Sequence, residues 1–148
     1  MPQWAKEASI SNMDTQQKPP LGSAKPKKIL IVEDDDSLAN VYITRLKAEG
    51  FDTKRVPNGE DALATTIAYK PDMVLLDVMM PKVSGFDVLD ILRNTPETTN
   101  VKVIMLTALS QDADRERAQS MGVDDYLVKS QVVIADVVEK IKEHLAIR

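Results

Sequence analysis

The sequence predicts an α/β fold, a doubly wound parallel sheet with helices on both faces. Three observations predict it. Short strand-like runs at residues 29–32, 51–56, 73–76, 101–106 and 126–128 are each followed by a segment of helical periodicity. Their alternation is strict, which specifies parallel strands joined by helical crossovers. The first, third and fourth runs are apolar at nearly every position, as strands buried on both faces must be.

The elements follow in order from residue 27. Residues 1–26 carry Pro2, Pro19, Pro20 and Pro26 among Ser, Gln and Lys, with few apolar side chains. Such a stretch buries too little surface to offset its ordering entropy and is expected to be a disordered tail. Trp4 is its one aromatic residue, and Met13 offers an alternative start. Residues 27–148 are expected to form one domain. Ile29–Val32 is the first strand, and Leu38, Val41, Tyr42 and Leu46 mark the inner face of a helix that stops at Gly50. One of Asp35, Asp36 and Ser37 is expected to cap that helix. Phe51–Val56 alternates weakly, as an edge strand does, and Pro57-Asn58-Gly59 is a turn. Glu60–Tyr69 is an Ala-rich helix closed by Lys70-Pro71. Met73–Leu76 is the third strand. Gly85–Arg93 is the third helix, with Phe86, Val88, Leu89 and Leu92 inward. Val101–Leu106 ends at Thr107, and Gln111–Met121 is a polar helix ending at Gly122. Tyr126–Val128 ends at Lys129, and Val132–Leu145 is amphipathic, with Val133, Val137, Ile141 and Leu145 at a spacing of four.

Composition narrows the function. Apolar residues make up 43% of the chain, enough for an ordinary core. The net charge is −4 and the sequence pI about 5.0, which argues against gripping nucleic acid by phosphate neutralisation. With no Cys there is no disulfide framework and no thiolate metal site, in keeping with a reducing cytosol. No apolar run approaches membrane-spanning length, and the N-terminus lacks the apolar core of a signal peptide.

The chemistry gathers at strand ends. An unpaired charge is very costly inside a core, so Asp77 belongs where its strand stops and the loop opens. Glu33-Asp34 follows the first strand, Thr107 ends the fourth and Lys129 follows the fifth. In a parallel sheet all carboxyl ends lie on one edge, where open α/β sheets bind ligands. Three carboxylates meeting there repel one another and call for a cation; oxygen ligands with an incomplete shell suit Mg²⁺. A carboxylate beside such a metal can act as a nucleophile and form an acyl phosphate. Lys129 can meet a phosphoryl oxygen as a point charge, and the Thr107 hydroxyl can donate to another. Each residue alone has an ordinary explanation: a capping Asp, a β-branched strand residue, a solvated lysine. Four strand ends coinciding do not.

Order and spacing of five segments carry a resemblance: Ile29–Asp35, Pro71–Pro81, Gly85, Val103–Ala108 and Gly122–Lys129. The chain resembles the receiver (response regulatory) domain of two-component signalling, the domain type found in chemotaxis regulators. The resemblance implies a flavodoxin-like (βα)5 sandwich with strand order 2-1-3-4-5. It implies a phospho-accepting Asp77, with Asp34 as direct metal ligand, Glu33 acting mainly through water and the Met79 carbonyl completing the protein ligands of Mg²⁺. Thr107 is then the switch hydroxyl, Lys129 the phosphoryl-binding lysine, and Tyr126 an aromatic that turns inward with Thr107. The alternative for Tyr126 is a partly buried strand residue with a wet hydroxyl. Met79 and Leu109, two residues beyond Asp77 and Thr107, cannot orient a hydrolytic water, so slow self-dephosphorylation is expected. One departure stands out: Ser130 follows Lys129 where the family usually has Pro, often after a cis bond. A cis bond before a non-proline residue costs about 2.5–4 kcal/mol, so either that strain is tolerated or the loop takes another path.

The implied role is a single-domain cytoplasmic regulator rather than an enzyme acting on other molecules. It receives its phosphoryl group from a sensor histidine kinase or phosphotransfer protein. It signals to a downstream protein target, or dimerises, through the fourth helix, fifth strand and fifth helix, without contacting nucleic acid or membrane. Asp112, Arg115, Arg117, Lys140 and Lys142 are the candidate surface charges. The alternatives are a phosphorylation-independent interaction module and a fragment of a larger regulator. An aspartyl phosphatase would need an acid–base Asp where Met79 stands, and a nucleotide site would need a Gly-rich loop where Glu33–Asp36 stand. His144, the sole histidine, suits the last turn of a helix and is not a phosphodonor.

Overall fold

The computed structural model describes residues 25–147. The expectations for residues 1–24, including Trp4 and Met13, lie outside the described residues. The elements are β1 (Lys28–Val32), α1 (Asp36–Ala48), β2 (Asp52–Val56), α2 (Ala62–Tyr69), β3 (Met73–Leu76), α3 (Gly85–Arg93), β4 (Lys102–Thr107), α4 (Asp112–Ser120), β5 (Asp125–Val128) and α5 (Ile134–His144). The strands form one sheet in the order β2-β1-β3-β4-β5, every neighbouring pair parallel.

Side chains alternate across this sheet and so feed two cores. Leu30, Val32, Val74, Leu76, Val103 and Met105 face Ala62, Phe86, Val88, Leu89, Leu92 and Ala118 of α2, α3 and α4. Ile29, Ile31, Met73, Leu75, Ile104 and Leu106 face Tyr42, Leu46, Val137, Val138 and Ile141 of α1 and α5. This is why the inner strands read as unbroken apolar runs: both faces are covered. The edge strand β2 is buried only at Val56, which explains its weak alternation.

Two helix faces differ from the sequence expectation. Val41 is 53% exposed, and α1 instead buries Ala39, Tyr42 and Leu46. Neighbouring apolar residues such as Val41 and Tyr42 sit about 100° apart on a helix, so only one of the pair can face the sheet. Val133 is 64% exposed because it precedes α5, where its N–H donates to the Asp136 carboxylate at 2.9 Å; Val138 takes the buried place. Asp35 is the cap of α1, its carboxylate accepting from the Leu38 N–H at 2.9 Å. No peptide bond among the described residues is cis. The chain after Lys129 takes another path, a single 3₁₀ turn over Lys129–Gln131. No helix among the described residues is long and apolar enough to cross a membrane.

Candidate functional site

The carboxyl edge of the sheet gathers the titratable groups. β1 and β3 are adjacent, and the ladder runs one residue past each: the Glu33 N–H donates to the Val56 carbonyl at 3.1 Å and the Asp77 N–H to the Val32 carbonyl at 3.0 Å. Both side chains are buried, at 4% and 6% exposure, whereas Asp34 is exposed. Carboxylate oxygens of Glu33, Asp34 and Asp77 all lie within 4.8 Å of one another. Opposite them is Lys129, whose Nζ is 3.2 Å from Glu33 Oε1 and 3.5 Å from Asp77 Oδ2.

One lysine does not offset three carboxylates, and the imbalance appears as a perturbed acid. Burial first, then the Asp77 charge, pushes the Glu33 carboxyl up from its ordinary 4.5 to about 7. The Asp35 N–H, which donates to Glu33 Oε2 at 3.2 Å, and Lys129 oppose that rise. Tyr42 lies behind the same carboxylates. Burial and the Glu33 and Asp77 charges raise its phenol to about 12, so it stays neutral.

The loop after Asp77 is held tightly. The Met79 N–H donates to Asp77 Oδ1 at 3.3 Å, while the Met79 side chain is 57% exposed. The Gly85 N–H donates to the Val78 carbonyl at 2.8 Å. A Cβ on Gly85 would overlap the Asp77 carbonyl oxygen, so only glycine lets α3 start this close to the site. Ser84 and Asp87 close a capping box around that start.

Thr107 and Tyr126 meet through one main-chain residue. Thr107 is fully buried, and its Oγ1 accepts from the Leu109 N–H at 3.2 Å. Tyr126 is turned inward, 3% exposed, with its hydroxyl donating to the Leu109 carbonyl at 2.9 Å. The wet-hydroxyl alternative does not hold. Burial, then Asp114, raises the Tyr126 phenol, and Arg115 opposes. Arg115 lies 5.0 Å from the Tyr126 ring centre and donates to its carbonyl at 2.9 Å.

Four of the five charges expected on the output face have partners within the chain. Arg115 is on Tyr126, Arg117 is 4.1 Å from the Phe86 ring centre, Lys140 pairs with Glu143 at 3.5 Å and Lys142 with Glu49 at 2.9 Å. His144, in the last turn of α5, also pairs with Asp125 at 2.9 Å. Sequence reasoning missed Arg55, which reaches the site's entrance from β2 and hydrogen-bonds the Glu33 carbonyl and Asp36. Its one signal was a lone arginine one residue from the end of an edge strand, two before Pro57. It also missed that Leu109, noted for its side chain, links Thr107 to Tyr126 through its backbone.

Residues 29–142 match the family model described as response regulator receiver domain. The chain is 37% identical over 102 residues to the DNA-binding dual master transcriptional regulator RpaA of Synechocystis sp., covering 69% of this chain and 42% of that protein. It is 32% identical over 120 residues to the polar-differentiation response regulator DivK of Brucella anthropi, covering 81% and 97%. The chain thus spans less than half the length of RpaA and nearly all of DivK. The crystal structure of a CheY-like response regulator receiver domain protein from Methanospirillum hungatei superposes with a TM-score of 0.76 at 27% identity, covering 82% of this chain and 95% of that one.

Proposed function

This chain belongs to the response regulator receiver family, and on that premise we propose that it accepts a phosphoryl group on Asp77 and passes the change to a protein partner. The supporting observation is the convergence of Glu33, Asp34 and Asp77 opposite the Lys129 ammonium. The donors are all oxygen, two of them buried beside a charge deficit, which fits a hard divalent cation. Glu33, Asp34, Asp77 and the Met79 carbonyl would hold Mg²⁺, Glu33 mainly through water. Bound there, Mg²⁺ supplies charge neutralisation for the phosphoryl oxygens.

The residues of the chain do the rest. A phosphohistidine of a sensor kinase or phosphotransfer protein is the donor. An Asp77 carboxylate oxygen bonds to phosphorus as the P–N bond breaks, and the electron pair leaves with the imidazole. Lys129 moves its ammonium from the carboxylates to a phosphoryl oxygen. The Thr107 hydroxyl accepts from Leu109, so its own proton is available to donate to another phosphoryl oxygen. Turning it to do so pulls on Leu109, and with it on the Tyr126 hydroxyl and α4. The new charge thereby favours one of two pre-existing arrangements of α4, β5 and α5, the surface offered to a downstream target or a second copy. The chain catalyses only its own phosphorylation and a slow dephosphorylation, with Met79 and Leu109 unable to orient water. Its setting is the cytoplasm, and its output is protein contact rather than contact with nucleic acid or membrane. RpaA, matched over less than half its length, favours a second reading in which the same unit serves a longer regulator.

Acetyl phosphate with Mg²⁺, followed by intact mass, tests the reading. One phosphoryl group is expected in wild type, dependent on Mg²⁺ and absent in Asp77→Asn. No gain in a folded wild type would contradict it and leave a phosphorylation-independent interaction module.

A further inference from the structure

The loop that carries Glu33 and Asp34 is an awkward one to hold. Glu33, Asp34, Asp35 and Asp36 follow one another, and like charges in sequence push the loop open. The β-ladder reaches only its first N–H, that of Glu33. β2 ends at Val56, and among the described residues no main-chain N–H beyond it is bonded to the Glu33 carbonyl. The Glu33 carbonyl therefore takes its donors from a side chain. Arg55 Nε and Nη2 donate to that carbonyl at 3.1 and 2.8 Å, while Nη1 reaches Asp36 Oδ1 at 2.7 Å. The three bonds bracket Asp34: one partner is the carbonyl of the peptide leading into it, the other the first residue of α1.

We propose that Arg55 is a positioning residue of the site, holding the Glu33 carbonyl and the Asp36 carboxylate together so that the Glu33–Asp34 backbone keeps both side chains turned to a divalent cation. This rests on the metal reading given above. It concerns geometry and not charge, because a guanidinium near the carboxylates weakens cation binding by repulsion. The planar fork of Arg supplies bonds in fixed directions that Lys cannot reproduce. Groups that orient metal ligands change metal affinity about 10–100-fold when removed.

Isothermal titration of the unphosphorylated full chain with Mg²⁺ tests this on wild type, Arg55→Gln and Arg55→Lys. The two hypotheses differ in sign. A purely electrostatic Arg55 predicts tighter Mg²⁺ binding in Arg55→Gln and no change in Arg55→Lys. Positioning predicts a Kd raised about tenfold in Arg55→Gln and raised also in Arg55→Lys, though its charge is kept. Unchanged or tighter binding in either variant overturns the proposal. Absence of Mg²⁺ binding in wild type overturns it together with the metal reading, a result distinguishable from the failure of positioning alone. Should Arg55→Gln not fold, Arg55→Lys decides the matter alone.

Discussion

α3 and α4 cover the same face of the sheet and are attached in opposite ways. α3 buries Phe86, Val88, Leu89 and Leu92 and starts in a capping box against the Asp77 loop. α4 buries only Ala118 and has no side-chain cap; two arginines, stacked on Tyr126 and Phe86, help hold it. The charges differ in the reverse sense. The side served by α3 has carboxylates in excess of its one lysine, while the arginines of α4 are matched to rings and carbonyls. The α3 side is thus firmly packed and electrostatically loaded; the α4 side is lightly packed and locally satisfied. Few buried apolar contacts mark the part of a fold that opens or shifts at low cost. Under the proposed function, chemistry that needs fixed positions falls on the first side and a readout that must move falls on the second.

Four tests bear on this contrast. The largest effect is expected from Leu89→Ala, which leaves a cavity under α3 and should cost about 2–5 kcal/mol in urea unfolding; α4 has no single truncation of that size. A loss under 1 kcal/mol would remove the packing difference. The second addresses the charge load. In Mg²⁺-free buffer the folded state holds a proton on Glu33 between its ordinary 4.5 and about 7, where the unfolded chain does not. The Glu33 contribution to stability therefore falls as pH rises through that window and levels off above it. The difference between wild type and Glu33→Gln isolates this slope, and Mg²⁺ should flatten it by displacing the proton. A slope of the opposite sign would show that Lys129 dominates. Third, Arg115→Ala and Arg117→Ala should each cost about 0.5–1 kcal/mol and speed amide exchange in α4 while leaving α3 unchanged. Equal acceleration in both helices would mean that the arginines hold the whole face. The smallest effect is for Tyr126→Phe, about 1 kcal/mol or less from one hydrogen bond, with the Leu109 amide losing protection as its loop loosens. An unaffected Leu109 would cut the link from Thr107 to Tyr126.

The fold was legible because inner strands with two covered faces leave an unmistakable apolar run, and because strand–helix alternation leaves few topologies. The strand order came from the resemblance, not from spacing. Glu33, Asp34, Asp77, Thr107 and Lys129 were legible as a group since parallel strands bring their ends to one edge. What remained hidden was detail that depends on direction. Helical spacing could not decide between Val41 and its neighbours on α1, nor place Val133 outside α5. A single arginine has no pattern, so Arg55 carried no signal until its carbonyl partner was seen. The charges of α4 read only as candidate surface charges because sequence shows no aromatic faces; the structure seats Arg115 and Arg117 on two of them. The path after Lys129 was open between a strained bond and a different turn, and the 3₁₀ turn settles it.

Under the proposed function, a change at Asp77 is fixed on the α3 side and expressed on the α4 side. Hydrogen–deuterium exchange with peptide resolution tests it, on wild type and Asp77→Asn with acetyl phosphate and Mg²⁺. Altered exchange is expected in residues 108–120 and around Tyr126 of wild type, with little change in residues 85–93 and no change anywhere in Asp77→Asn. Phosphorylated wild type whose α4 exchanges as before, or whose α3 changes as much as α4, would contradict it.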